Sequence, residues 1–171
     1  MQYSEFKDNV FRHAAAADLD AFELFSDQRR SLQVAVTKGE VDRYQDATGG
    51  GAGLKVLKSG RAGFAFTEVY DEESAARLVV EAVSNLSVVD AESEDTIYRS
   101  RDDYMDVAAY DGSFEEVTGD TMIDWALSLE KSTLKRDKRI SMVPTAAVAS
   151  FSTVTRMANS AGLDLSFRSG G

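Results

Sequence analysis

The sequence predicts an α+β fold: an antiparallel meander sheet of about four strands packed by two helices, then a helix and a β-hairpin of a second, partial domain. Three observations carry this expectation. Residues 31–66, SLQVAVTKGEVDRYQDATGGGAGLKVLKSGRAGFAF, alternate with a period of two, placing Leu32, Val34 and Val36 on one side. That period marks strands with one buried and one wet face. Lys38-Gly39 and Ser59-Gly60 punctuate the run, and an X-Gly pair between alternating stretches marks a tight hairpin, because glycine accepts the positive φ of the turn. Elsewhere, apolar residues recur three and four apart, as one face of a helix requires.

In chain order, residues 4–17 carry Phe6, Val10, Phe11, Ala14 and Ala17 on one side, a helix with Ser4 as its expected cap. Ala21–Ser26 reads as a short strand and Asp27–Arg30 as a turn into the meander. Glu40–Asp46 is polar on both sides apart from Val41 and Tyr44, which suits a sheet edge or a surface kept open to a partner. Asp71 caps a second helix whose stripe is Ala75, Leu78, Val79, Ala82, Val83 and Leu86, with Glu72 and Glu73 favourable near its positive end. Residues 90–117 are charged and aperiodic, a connection anchored by Tyr98, Tyr104 and Tyr110. A third helix over about 120–136, capped by Thr118 or Asp120, presents Met122, Trp125, Ala126 and Leu129 as its apolar stripe. Strands 146–158 and 163–167 flank the turn Asn159-Ser160-Ala161-Gly162. The expected organisation is an N-terminal domain over 1–89, a linker over 90–117, and the start of a second domain over 118–171, cut short. The alternating Leu163, Leu165 and Phe167 form an apolar edge awaiting cover.

Composition narrows the function classes. The 171 residues carry a net charge of −10 and 43% hydrophobic residues; this is enough for a core, while the acidity repels phosphate backbones and argues against direct nucleic-acid binding. Cysteine is absent and His13 is the only histidine. The chain therefore has no thiolate nucleophile, no Cys-ligated zinc, and no two-histidine metal site. No apolar run approaches the about 20 residues of a membrane span, and the N-terminus lacks a basic start followed by an apolar core. A cytoplasmic setting is expected.

Several local patterns invite chemistry and each has a plainer explanation. Gly49–Gly53 could suggest a phosphate cradle, but a strand rather than a helix follows, and no Gly-Lys-Ser/Thr ends it. Ser128-x-x-Lys131 and Ser132-x-x-Lys135 have serine–lysine spacing, yet they lie on a polar helical face without companion motifs. Asp90–Asp95 resembles a calcium loop superficially, with Asp95 where glycine is needed. Asn85-Leu86-Ser87 matches a glycosylation acceptor without a secretory signal. Trp125 is expected in the core. The residues themselves define no catalytic, cofactor-binding or metal site.

The order of motifs adds a further reading. Gly39-Glu40-Val41 ends one strand, Gly53-Leu54-Lys55-Val56 begins the next, Gly60-Arg61-Ala62-Gly63 forms a hairpin, and an acidic-capped helix follows. Asp137-Lys138-Arg139-Ile140 and Asn159-Ser160-Ala161-Gly162 come later. This series resembles the N-terminal domain and the start of the second domain of the TldD/PmbA family, nearer its PmbA (TldE) branch. The resemblance implies a two-subunit metallopeptidase that processes or degrades peptides, a family once described as modulators of DNA gyrase. It implies zinc or a similar metal only in the partner subunit, whose His-Glu-x-x-x-His helix this chain lacks. The expected partners are a TldD-like subunit or a second copy, and peptide substrates of the assembly, with neither nucleic acid nor membrane. The alternative is a stand-alone peptide- or protein-binding module using the same sheet.

Overall fold

The computed structural model describes residues 1–88, 95–99, 104–105, 107 and 110–171. Helix α1 spans Tyr3–Ala15, α2 Glu72–Asn85 and α3 Gly119–Arg136; strands β1 to β5 span Ala21–Thr37, Glu40–Lys58, Arg61–Thr67, Ala146–Asn159 and Asp164–Gly170. The five strands form one antiparallel sheet in the order β3-β2-β1-β4-β5, so the α+β expectation holds. The C-terminal hairpin joins the same sheet as the meander.

Both predicted turns are present. Lys38 and Gly39 have φ of 55° and 77°, and Ser59 and Gly60 have φ of 50° and 71°. Two consecutive left-handed residues make the tight turn whose twist matches that of its strands. The expected break at Asp27–Arg30 is instead continuous strand, and the glycine run lies inside β2 rather than before it. The physical reason is close backbone approach. A Cβ on Gly50 would run into the carbonyl oxygen of Asp27, so the glycine lets two polar stretches lie together. β3 pairs with Ala52–Lys58 of β2, leaving Glu40–Asp46 outside that ladder. Among the described residues this half of β2 has no partner from β3, and its side chains are exposed.

The structure divides into two compact units. One comprises Met1–Gln28, Gly50–Asp106 and Val154–Phe167; the other comprises Arg29–Gly49, Val107–Thr153 and Arg168–Gly171. In the first unit, Phe6 and Val10 of α1, Leu78 and Ala82 of α2, and Leu24, Leu54 and Val56 of the strands form a closed apolar core. Each of the Phe, Val and Leu side chains contributes about 1.5–3 kcal/mol by leaving water. Helix α2 lies so close to β3 that a Cβ on Gly63 would strike the carbonyl oxygen of Ala82. The Asp71 side chain accepts a hydrogen bond from Ser74 N–H at 2.7 Å, capping α2 as predicted. Ser4 is not a cap: α1 starts at Tyr3, and Gln2 at its N-cap makes no side-chain bond.

In the second unit α3 is capped by Thr118, which accepts from Thr121 N–H at 3.2 Å. The buried stripe of α3 is Met122, Ala126 and Glu130, packed with Val34, Val36 and Ala146. Trp125 and Leu129, expected inside, are 51% and 49% exposed. They stand one position before Ala126 and Glu130, at the border of the stripe. A strict four-residue step wins over hydrophobicity, and it carries a carboxylate inward. Glu130 accepts from the N–H groups of Lys38 and Gly39, both at 2.7 Å. A buried carboxylate is costly unless hydrogen-bonded, and two charge-assisted bonds from one turn satisfy it.

Candidate binding surfaces

In the first unit, strand alternation sends Leu24, Leu54 and Val56 toward the helices and their neighbours to the opposite face. The register sets Lys55 across from Phe64 and Gly53 across from Phe66 on that second face. Phe64 and Phe66 are 55% and 60% exposed, and Phe25, Leu165 and Phe167 are exposed as well. The Lys55 ammonium lies 5.8 Å from the Phe64 ring centre, pairs with Asp95 at 3.2 Å, and donates to the Thr96 carbonyl at 3.3 Å. These bonds tie residues 95–99 to the sheet. A cavity of about 530 Å³ beside them is lined by Asp20, Leu57, Ile97, Arg99 and Ala161, among others.

Asn159 organises this region. Its side-chain oxygen accepts from Ala161 N–H at 3.0 Å and Leu163 N–H at 3.1 Å. Its amide nitrogen donates to Glu23 Oε2 at 3.0 Å and to the Tyr98 carbonyl at 2.7 Å. Four bonds saturate the amide, which is 3% exposed. Ser160 extends the clamp: its hydroxyl accepts from Phe22 N–H at 3.1 Å, and its N–H donates to the Phe22 carbonyl at 2.9 Å. The Asn-Ser-x-Gly run is therefore a built turn that joins β4, β5, β1 and the segment 95–99.

The second unit holds a cavity of about 440 Å³ lined by Arg30, Leu32, Phe114, Glu115, Phe151, Ser152 and Arg168, among others. Arg30 pairs with Asp46 at 3.2 Å and Arg168 with Glu115 at 2.7 Å. Arg168 also sits 4.1 Å from the Tyr110 ring centre. The buried Tyr110 hydroxyl has no well-formed partner, yet it leans on Glu115 closely enough to hold that carboxylate below its ordinary range, with Ser152 and Arg168 adding to the effect. Of the three expected anchors, Tyr110 packs edge-on against Phe114 at 5.6 Å. Tyr98 is held through its carbonyl, and the Tyr104 ring is exposed.

The other sequence candidates have plain structural places. Ser128, Lys131, Ser132 and Lys135 are all exposed. His13 is half-buried on α1 with Nε2 unpartnered. Gly49–Gly53 is extended strand. Asp90–Glu94 lie outside the described residues, and Asp95 is the Lys55 partner. Asn85 donates to the Phe64 carbonyl at 2.7 Å, tying α2 to β3. Asp137 accepts from the Arg139 guanidinium at 2.7 and 3.0 Å and from its N–H at 2.9 Å; the side-chain bonds, then the backbone one, hold its carboxyl below the usual range. Among the described residues no three His, Cys, Asp or Glu side chains gather as a metal ion would need. The Glu130 clamp and the Asn159 hub were missed in sequence; only the position of Asn159 in a turn run hinted at the latter.

In the first unit α1 and α2 pack on one face of the strands, an α+β arrangement. Known structures share this fold over nearly its whole length. A protein named as a modulator of DNA gyrase from Thermotoga maritima is 27% identical with a TM-score of 0.89; the match covers 99% of this chain and 38% of that one. A similarly named protein from Bacteroides thetaiotaomicron is 17% identical at a TM-score of 0.83, covering 98% and 38%. TldE from Thermococcus kodakarensis is 17% identical at 0.82, covering 96% and 37%. At 17% identity the likeness is one of fold. No curated protein matches the sequence. Residues 22–86 match the family model described as PmbA/TldA metallopeptidase domain 1. The matched stretch is the one whose motif order resembles that family, and the chain spans less than two-fifths of the length of those structures.

Proposed function

We propose that this chain is the N-terminal, non-catalytic part of a PmbA/TldD-type metallopeptidase assembly, and that the part of its first unit's sheet face left exposed at Phe64 and Phe66 receives peptide substrate or a TldD-like subunit. The observation that carries this reading is the exposure of Phe64 and Phe66, which the β2–β3 register sets opposite Lys55 and Gly53, on the face turned away from Leu54 and Val56. Exposed aromatic clusters on a well-packed sheet are the usual mark of an interaction surface. The metal chemistry belongs to the partner, since a hydrolytic zinc site needs about three firm ligands and an open position for water.

The test is to incubate the purified chain with unstructured peptides, with and without chelator, and to measure bound metal by elemental analysis. The expected result is no stoichiometric zinc and no cleavage by the chain alone. It should instead bind peptide or a TldD-like subunit, and Phe64→Ser with Phe66→Ser should weaken that binding. About one equivalent of zinc, or chelator-sensitive cleavage that survives further purification, would overturn the reading. Unchanged binding by the Phe variants would move the interaction off this face.

A further inference from the structure

The flank of α3 that faces the β1–β2 turn carries a groove the function above does not use. It is about 600 Å³ and is lined by Leu127, Leu134, Lys38, Lys131 and Lys135, with Glu130 at its base. Its apolar floor comes from Leu127 and Leu134, and its rim is basic. None of the three lysines makes an ion pair among the described residues. Glu130, the one carboxylate of the lining, accepts from the N–H groups of Lys38 and Gly39, so it fixes one wall of the groove and offsets only one of the three ammonium charges. In a chain of net charge −10, three unpaired ammonium groups around leucines form a local field of opposite sign to the whole.

We infer that this groove docks an acidic amphipathic helix from another polypeptide chain. The leucines stand seven residues apart on α3, a separation of about 10 Å, which matches apolar side chains at i and i+7 of a helix laid alongside. Glutamates flanking that stripe would meet Lys38, Lys131 and Lys135. An exposed ion pair contributes little by itself, so the leucine contacts supply the base affinity and the lysines select the sign of the partner. This inference concerns the second unit and is independent of the peptidase reading.

The probe is a fluorescein-labelled helical peptide of leucine and glutamate with leucine at i, i+3, i+4 and i+7, set against its twin with lysine for every glutamate. Anisotropy should show binding of the glutamate peptide only, weakening as salt rises. The double substitution Lys131→Glu with Lys135→Glu should reduce affinity about tenfold or more, and Leu134→Ser should also reduce it. Lys58→Glu, a reversal in the first unit, should leave it unchanged. Equal binding of the two peptides, failure of the glutamate peptide to bind, or indifference to the Lys131/Lys135 reversal would overturn the inference. Self-association of the chain that the same reversal abolishes would overturn the assignment to another polypeptide and give the groove to a second copy. Lys131, Leu134 and Lys135 are exposed and Lys58 is partly exposed, and an unchanged melting curve checks that the variants are folded.

Discussion

The two units solve the same problem, a helix layer on a strand layer, by different means. The first closes a wide apolar core between α1, α2 and three strands, and uses a buried amide, Asn159, to hold one corner. The second has a smaller core under α3 and places a carboxylate, Glu130, within its buried stripe to hold a hairpin turn. Apolar contact is non-directional and adds up with area, so the first unit tolerates small losses at any one point. A charge-assisted clamp is directional and local, so the second unit depends heavily on a few atoms.

The largest expected effect is a charge in the smaller core. Val34→Asp, at a fully buried position, should cost about 4 kcal/mol or more through lost packing and an unpaired charge. In the first unit Leu54→Ala should cost about 2–5 kcal/mol. Chemical denaturation of both variants checks the order, and a curve unaltered by Val34→Asp would refute the packing described for the second unit.

Next come the two polar hubs. Glu130→Gln retains the shape but turns one end of the side chain into a donor facing a backbone N–H. A loss on the order of 2 kcal/mol is expected, with faster hydrogen exchange at Lys38 and Gly39. Asn159→Ala removes four bonds together and should cost about 2–4 kcal/mol, loosening residues 95–99 as seen by limited proteolysis. Exchange at Lys38 unaffected by the Glu130 change would dissolve the contrast between the units.

The smallest effect concerns the first unit's helix cap. Asp71 is held below the ordinary carboxyl range by Ser74, through its backbone and then its side chain. A carboxylate whose folded pKa is depressed stabilises the protein above its unfolded pKa, and that stability is lost as pH falls through the folded value. Asp71→Ala should therefore lower the melting temperature slightly at neutral pH and not at strongly acid pH. An equal decrement at both would assign the loss to something other than the ionised cap.

The sequence by itself determined the fold class, the two Gly hairpins and the Asp71 cap, narrowed the α3 cap to Thr118 or Asp120, and carried the resemblance that the family model matches over 22–86. Each of these rests on local signals: period-two alternation, a positive-φ pair, or a side chain bonding three residues ahead. Tertiary structure alone decided the rest. Asp27–Arg30 looks like a turn until Gly50 allows a neighbouring strand to come against it. Trp125 looks like core until the buried stripe of α3 is seen to run through Met122, Ala126 and Glu130. Glu130 and Asn159 find their partners 91–92 and 61–136 residues away. No local pattern encodes which distant backbone a polar side chain will satisfy, because that depends on where packing brings the chain back.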